Sequence, residues 1–181
     1  MPFPMARGLG LACAFLAVLV GLGASVAAPA GVSGERQVSG LDLSLLAQLN
    51  RIRGDHGLVP LTPSPGLAAA ALQHTRDMVG SGYFAHASAD GTPFWRRIEL
   101  YYPQSGYAYW SVGENLLWTS GPPSANAELD AWMASPAHRA NILDPGWRQI
   151  GIASLSAAHA PGAFAGLDVT VITTDFGVRR D

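Results

Sequence analysis

The sequence predicts an α+β domain whose helices cover a sheet. Helical periodicity fills positions 42 to 143, segments rich in Ile, Val and Thr follow Asp144-Pro145-Gly146, and no strand–helix–strand alternation occurs. A chain of 181 residues without internal repeats fits one domain around one core.

The N-terminus is treated apart from the fold. Arg7 precedes an apolar run from Leu9 to Val26, and small residues from Ala24 to Ala30 follow it. Ser25-Val26-Ala27 satisfies the small-x-small cleavage rule, so residues 1–27 read as a secretory signal peptide. The rival reading is a retained anchor, for which about eighteen apolar residues lie at the short limit for spanning a bilayer. Residues 28–40 are rich in Ala, Gly and Ser and read as a linker, leaving 41–181 as the domain.

Within the domain, Asp42 is the expected cap of a first helix in which Leu45, Leu46, Leu49 and Ile52 share a face, ending near Gly57. Ser64-Pro65 starts a second helix that ends at Gly80 or Gly82, because a capping serine followed by proline suits the first helical turn. Thr92-Pro93 repeats that signal for a third helix through about Leu100. Residues 103–113 read as a loop with one short strand. Ser124 to Met133 is a fourth helix, and Ser135-Pro136 opens a short fifth one through about Leu143. Gln149 to Leu155 and Leu167 to Phe176 read as an antiparallel strand pair.

Composition excludes several classes. Every basic residue is Arg, and 11 basic side chains face 13 acidic ones without a basic patch, which argues against a nucleic-acid partner. The single cysteine, Cys13, lies in the exported segment. The mature chain would therefore hold no cysteine nucleophile, thiolate metal site or disulfide. There is no GxSxG elbow, HExxH motif or phosphate-binding glycine loop.

Chemistry then falls to the histidines. His56 stands at a helix end, where it meets the dipole, and His159 in a turn between strands. His74 shares an apolar helix face with Leu67, Ala71 and Met78 and reads as a hydrogen-bonded core residue. His86, Glu114 and His138 are the remaining set, expected at element ends or turns. Two imidazoles and a carboxylate suit Zn²⁺ with an open position, or a hydrogen-bonded acid/base pair.

The order of motifs resembles the bacterial branch of the CAP superfamily (cysteine-rich secretory protein, antigen 5, pathogenesis-related 1), also called SCP. The motifs are Leu49-Asn50-x-x-Arg53, Gly57-Leu58-x-Pro60-Leu61, Ala70-x-x-x-His74-x-x-Asp77-Met78, Phe84-x-His86, Gly113-Glu114-Asn115, Trp132-x-x-Ser135-Pro136-x-His138-Arg139-x-Asn141 and Asp175-Phe176-Gly177. The resemblance implies a three-layer α-β-α sandwich with a small antiparallel sheet between helices, in an exported protein. It also implies a groove lined by His and Glu, which in eukaryotic relatives holds two of each and in several members a divalent metal. By position, His86 and Glu114 match the first histidine and first glutamate. Ser135 stands where the second glutamate would be, the Gly-His-Tyr motif of the second histidine is absent, and His138 is implied in its place.

Two functional readings follow. One is a secreted or envelope (extracellular or periplasmic) monomer that binds a lipid, sterol-like, glycan or protein ligand through His86, Glu114, Ser135 and His138, with Zn²⁺ held by His86, Glu114 and His138 as an optional cofactor. The other is an extracellular hydrolase with His86 as general base and Glu114 as its partner. For the N-terminus, sequencing of secreted protein is expected to begin near Ala28; intact chain starting at Met1 in the membrane fraction would overturn cleavage.

Overall fold

The computed structural model describes residues 39–181; the predicted signal peptide and most of the predicted linker lie outside the described residues. Helix α1 spans Gly40–Asp55. Its cap is Ser39 and not Asp42, as the sequence suggested: Ser39 Oγ accepts from the Asp42 amide at 3.0 Å, and the Asp42 carboxylate accepts from the Ser39 amide at 3.4 Å. Asp42 thus serves as the reciprocal partner of a capping box. Strand β1, Thr62–Pro63, follows, anchored by Asn50, whose amide exchanges two hydrogen bonds with the Leu61 backbone at 2.8 and 3.0 Å.

Helix α2 runs Pro65–Ser81, with Ser64 as its cap and Gly82 closing it in the left-handed region. Helix α3 is Phe94–Tyr101; Pro93 takes the cap position, so Thr92 does not. The largest departure from the sequence reading comes next. Strand β2 spans Tyr109–Thr119, eleven residues, where a loop and one short strand were expected. Gly113, Glu114 and Asn115 interrupt its apolar pattern, and pairing with a partner strand overrides that weak local signal. Helices α4 (Ala125–Ala134) and α5 (Pro136–Ile142) agree with the reading, as do strands β3 (Gln149–Ala157) and β4 (Val169–Arg180).

The sheet has the order β1-β3-β4-β2. Both long neighbours of β4 are antiparallel to it, whereas β1 pairs parallel with β3, so the sheet is mixed and not wholly antiparallel. Alternation along the strands divides the core in two. Ile150, Ile152, Ile172, Phe176 and Val178 pack with Leu45 and Leu49 of α1, Leu129 and Trp132 of α4 and Ile142 of α5. On the other face, Leu116 and Val171 pack with Met78 of α2, and Ile98 of α3 packs with Leu67 and Ala70 of α2. The result is a three-layer α-β-α sandwich.

Strand β2 lies at the sheet edge, and helices α4 and α5 satisfy part of its exposed backbone. Trp132 Nε1 donates to the Leu116 carbonyl at 3.0 Å, and Asn141 Nδ2 donates to the Glu114 carbonyl at 3.0 Å. Buried Arg53 holds α5 from its other end, donating to the carbonyls of Ile142 at 2.8 Å and Asp144 at 2.9 Å. Helix α2 meets β3 at Gly151, where an added Cβ would collide with the backbone of Leu67 and Ala68. Gly151→Ala is expected to destabilise the fold by about 3 kcal/mol in urea melts. Gly54→Ala, in open space on α1, is expected to be neutral or to stabilise by up to about 1 kcal/mol.

Candidate functional site

The site is organised by a charge placed in the middle of a strand. Glu114 is buried on β2, opposite Asp175 of β4, so both side chains face the α2 and α3 layer. This differs from the expectation that Glu114 stands at a turn: the strand's pleat, not a loop, aims its carboxylate. Asn115, one residue on, points to the opposite face. Its Nδ2 donates to the His138 carbonyl at 3.1 Å, and its Oδ1 accepts from Asn141 at 2.9 Å. One strand therefore directs Glu114 toward His86 and fixes the helix that carries His138.

His86 follows α2, in the segment between Gly82 and α3. Its Nδ1 donates to Glu114 Oε1 at 2.7 Å, while the side chain remains 53% exposed. A neutral ring that donates from Nδ1 carries its lone pair on Nε2, the nitrogen left for a ligand. Phe94 of α3 flanks the ring, with centroids 6.2 Å apart.

The sequence reading missed Arg97. Arg97 is 2% exposed, and its Nη2 forms a close ion pair with Glu114 Oε2. Its Nη1 donates to the His86 carbonyl at 3.1 Å and to Ser88 Oγ at 3.4 Å. The one available signal was the helical register of α3, which puts Arg97 beside buried Ile98 on its inward face.

Asp175 was also unassigned. It is fully buried and faces the Glu114 carboxyl across the strand pair, so a hydrogen bond between the two acids requires one of them to hold a proton. Burial first, and the neighbouring Glu114 carboxylate second, push the Asp175 carboxyl well above the usual carboxylate range, against the pull of Arg97. Two carboxylates beside one guanidinium cannot both ionise cheaply, and full burial favours the protonated form of Asp175.

The other histidines separate by role. His74 is fully buried, its Nε2 donates to the Ala85 carbonyl at 2.9 Å, and burial is the main cause that lowers its pKa. It lies 4.0 Å from Glu114 Oε2, outside hydrogen-bond range, and acts as the core residue expected. His56 Nδ1 lies 2.8 Å from the Ile52 carbonyl at the end of α1, and His159 is exposed. His138 is half-buried in the first turn of α5; burial, then repulsion by His86, lowers its pKa. Among the described residues, no hydrogen bond joins His138 to His86 or to Glu114, so the structure ties only His86 and Glu114 directly together. Ser135 joins α4 to α5 as the cap residue of both, without a side-chain capping bond.

The donor set does not fit a divalent ion in this arrangement. Glu114 Oε1 is engaged by His86 and Oε2 by Arg97. Among the described residues, no three His, Cys, Asp or Glu side chains gather closely enough to hold a metal. A guanidinium about 4 Å from a unit positive charge repels it by about 4 kcal/mol at an effective dielectric of about 20, and a dication by twice that.

The Asp175 environment predicts a pH-dependent stability. Its folded pKa is raised above the unfolded value near 3.9, so the stability it contributes is full below that value and is lost as pH rises toward the folded pKa. Asp175→Asn removes the titration and keeps the shape. Urea melts are expected to show the variant gaining on the native chain as pH rises above about 4, by up to about 1.4 kcal/mol per pH unit. A difference that stays flat with pH would contradict the assignment.

Comparison with known proteins follows from this geometry. Residues 46–170 match the CAP family described as the cysteine-rich secretory protein family. An uncharacterized protein, YkwD, of Bacillus subtilis is 31% identical over 121 residues, covering 66% of this chain and 44% of that protein. An extracellular SCP-domain protein of Bacillus anthracis superposes with a TM-score of 0.57 at 24% identity, over 77% of this chain and 40% of that one. An outer surface protein of Borrelia burgdorferi gives 0.62 at 19% identity, over 80% and 96%. The two structural likenesses speak for the fold alone, and the chain spans less than half of the two Bacillus proteins. With the family match extending over most of the sandwich, this chain belongs to the cysteine-rich secretory protein (CAP) family.

Proposed function

We propose that this chain is a CAP-domain binding module of the extracellular space or cell envelope, and that its groove around His86 captures a lipid, glycan or protein ligand. The observation that carries this is the asymmetry of the His86–Glu114 pair. The carboxylate is buried and doubly engaged, whereas the imidazole it orients is half exposed and keeps Nε2 as its free nitrogen. Such a group accepts a hydrogen bond from a ligand without further reorganisation, because its partner has already fixed ring and tautomer. Phe94 supplies an apolar wall, and Ser135 at the α4–α5 junction and His138 on α5 would add further polar contacts. Export is supported by the apolar run and small-residue exit at positions 9–30 and by the extracellular and outer-surface descriptions of the structural neighbours.

A second reading is favoured by the same 2.7 Å bond. A carboxylate-oriented imidazole with a bare Nε2 is also a general base, which would make the protein a hydrolase. No Ser, Thr or Cys side chain is hydrogen-bonded to His86 among the described residues, so water would have to be the nucleophile. That lack of a positioned nucleophile places binding first.

Purified mature protein tested against phospholipid vesicles, cell-wall glycan and envelope extracts decides between them. His86→Ala is expected to lower capture at least tenfold, about 1.4 kcal/mol, with little change in melting temperature. Equal capture by the variant would remove His86 from the site. Release of a cleaved product by the native chain, lost in His86→Ala, would establish the hydrolase.

A further inference from the structure

We infer that Arg97 is the resident cation of this groove: its buried guanidinium, paired with Glu114 and tied to the His86 backbone, fills the charge position a divalent ion would need, so the site is built to work without metal. This goes beyond the binding role proposed above and does not depend on the ligand's identity.

Glu114 sets the requirement. A carboxylate buried in mid-strand must be matched by positive charge and by hydrogen bonds to both oxygens. Metal would supply the charge in a His/Glu groove. Here α3 supplies it instead: Arg97 is itself 2% exposed, and its Nη2 takes Oε2 while His86 Nδ1 takes Oε1. The second terminal nitrogen, Nη1, reaches the His86 carbonyl and Ser88 Oγ. A single planar fork therefore neutralises the carboxylate and pins the segment that presents the imidazole. No ion bound at Glu114 could perform the second task through the same atoms, and lysine, a point charge without the fork, would satisfy only the first. Arg97 is thus a positioning residue: it acts through the His86 backbone and Glu114 to determine where His86 stands.

The test is zinc titration by calorimetry on chelator-stripped mature protein, comparing the native chain, His86→Ala, Arg97→Gln and Arg97→Lys, with circular dichroism to check folding. The native chain and Arg97→Lys are expected to show no zinc binding that depends on His86. Arg97→Gln, which deletes the charge, is expected to gain zinc affinity at least tenfold over the native chain, and adding His86→Ala is expected to abolish the gain. Stoichiometric zinc binding by the native chain that disappears in His86→Ala would overturn the inference, and this arm needs no variant at Arg97 to fold. A folded Arg97→Gln that binds zinc no better than the native chain, or an Arg97→Lys that binds as well as Arg97→Gln, would equally overturn it. Because ligand capture is measured separately, failure here leaves the binding role standing, and failure of the binding role leaves this result intact.

Discussion

The structure depends on one buried charge. Glu114 sits in the middle of β2, and removing water from a carboxylate costs several kcal/mol unless it is paired and hydrogen-bonded. That requirement fixes the approach of α3, which must deliver Arg97, and the path of the segment after α2, which must deliver His86. It also constrains β4, because the residue opposite Glu114 is another acid, Asp175. A strand position that would ordinarily hold Val or Ile instead organises four elements. Such an arrangement is weak evidence for stability and stronger evidence for a site, since apolar packing would satisfy the fold at less cost.

The same strand joins the two faces of the sandwich. Successive side chains on β2 point in opposite directions, so Glu114 belongs to the α2/α3 layer and Asn115 to the α4/α5 layer. Asn141 donates to both the Glu114 carbonyl and the Asn115 side chain. Helix α5 is thereby fastened to the backbone of the residue that holds His86. The edge position of β2 makes this possible: an inner strand would have spent those backbone groups on a neighbour, whereas an edge strand must be covered by something else. Here the cover is α4 and α5, and the cover carries His138.

Several family-like motifs turn out to be clamps and not chemistry. Asn50 fastens the Leu61 backbone, Arg53 holds the end of α5, and Trp132 and Asn141 satisfy carbonyls of β2. Arg53 and Trp132 are buried, Asn50 and Asn141 half-buried, and the hydrogen bonds of all four join segments apart in sequence. Their loss would leave backbone groups unpaired, at roughly 1–3 kcal/mol each, which explains why polar residues stand amid apolar runs without being catalytic.

The sequence by itself determined the element types wherever local physics was strong. Proline after a capping serine marked α2 and α5, glycine closed α2 in a left-handed turn, and β-branched runs marked β3 and β4. Helix face marked His74 as a core residue, whereas the grouping of His86 with Glu114 and His138 came from the family resemblance, and the fold joins only His86 and Glu114 by a hydrogen bond. Only the tertiary structure decided β2, whose Gly113-Glu114-Asn115 centre carries no clear strand pattern and becomes a strand by pairing with β4. It alone assigned Arg97 and Asp175, because an arginine on a short helix and an acid in a strand look the same in sequence whether solvated or buried. What separates the two cases is whether a charge seventeen or sixty-one positions away ends up within hydrogen-bond reach or directly across the sheet, and that is a property of the packed chain.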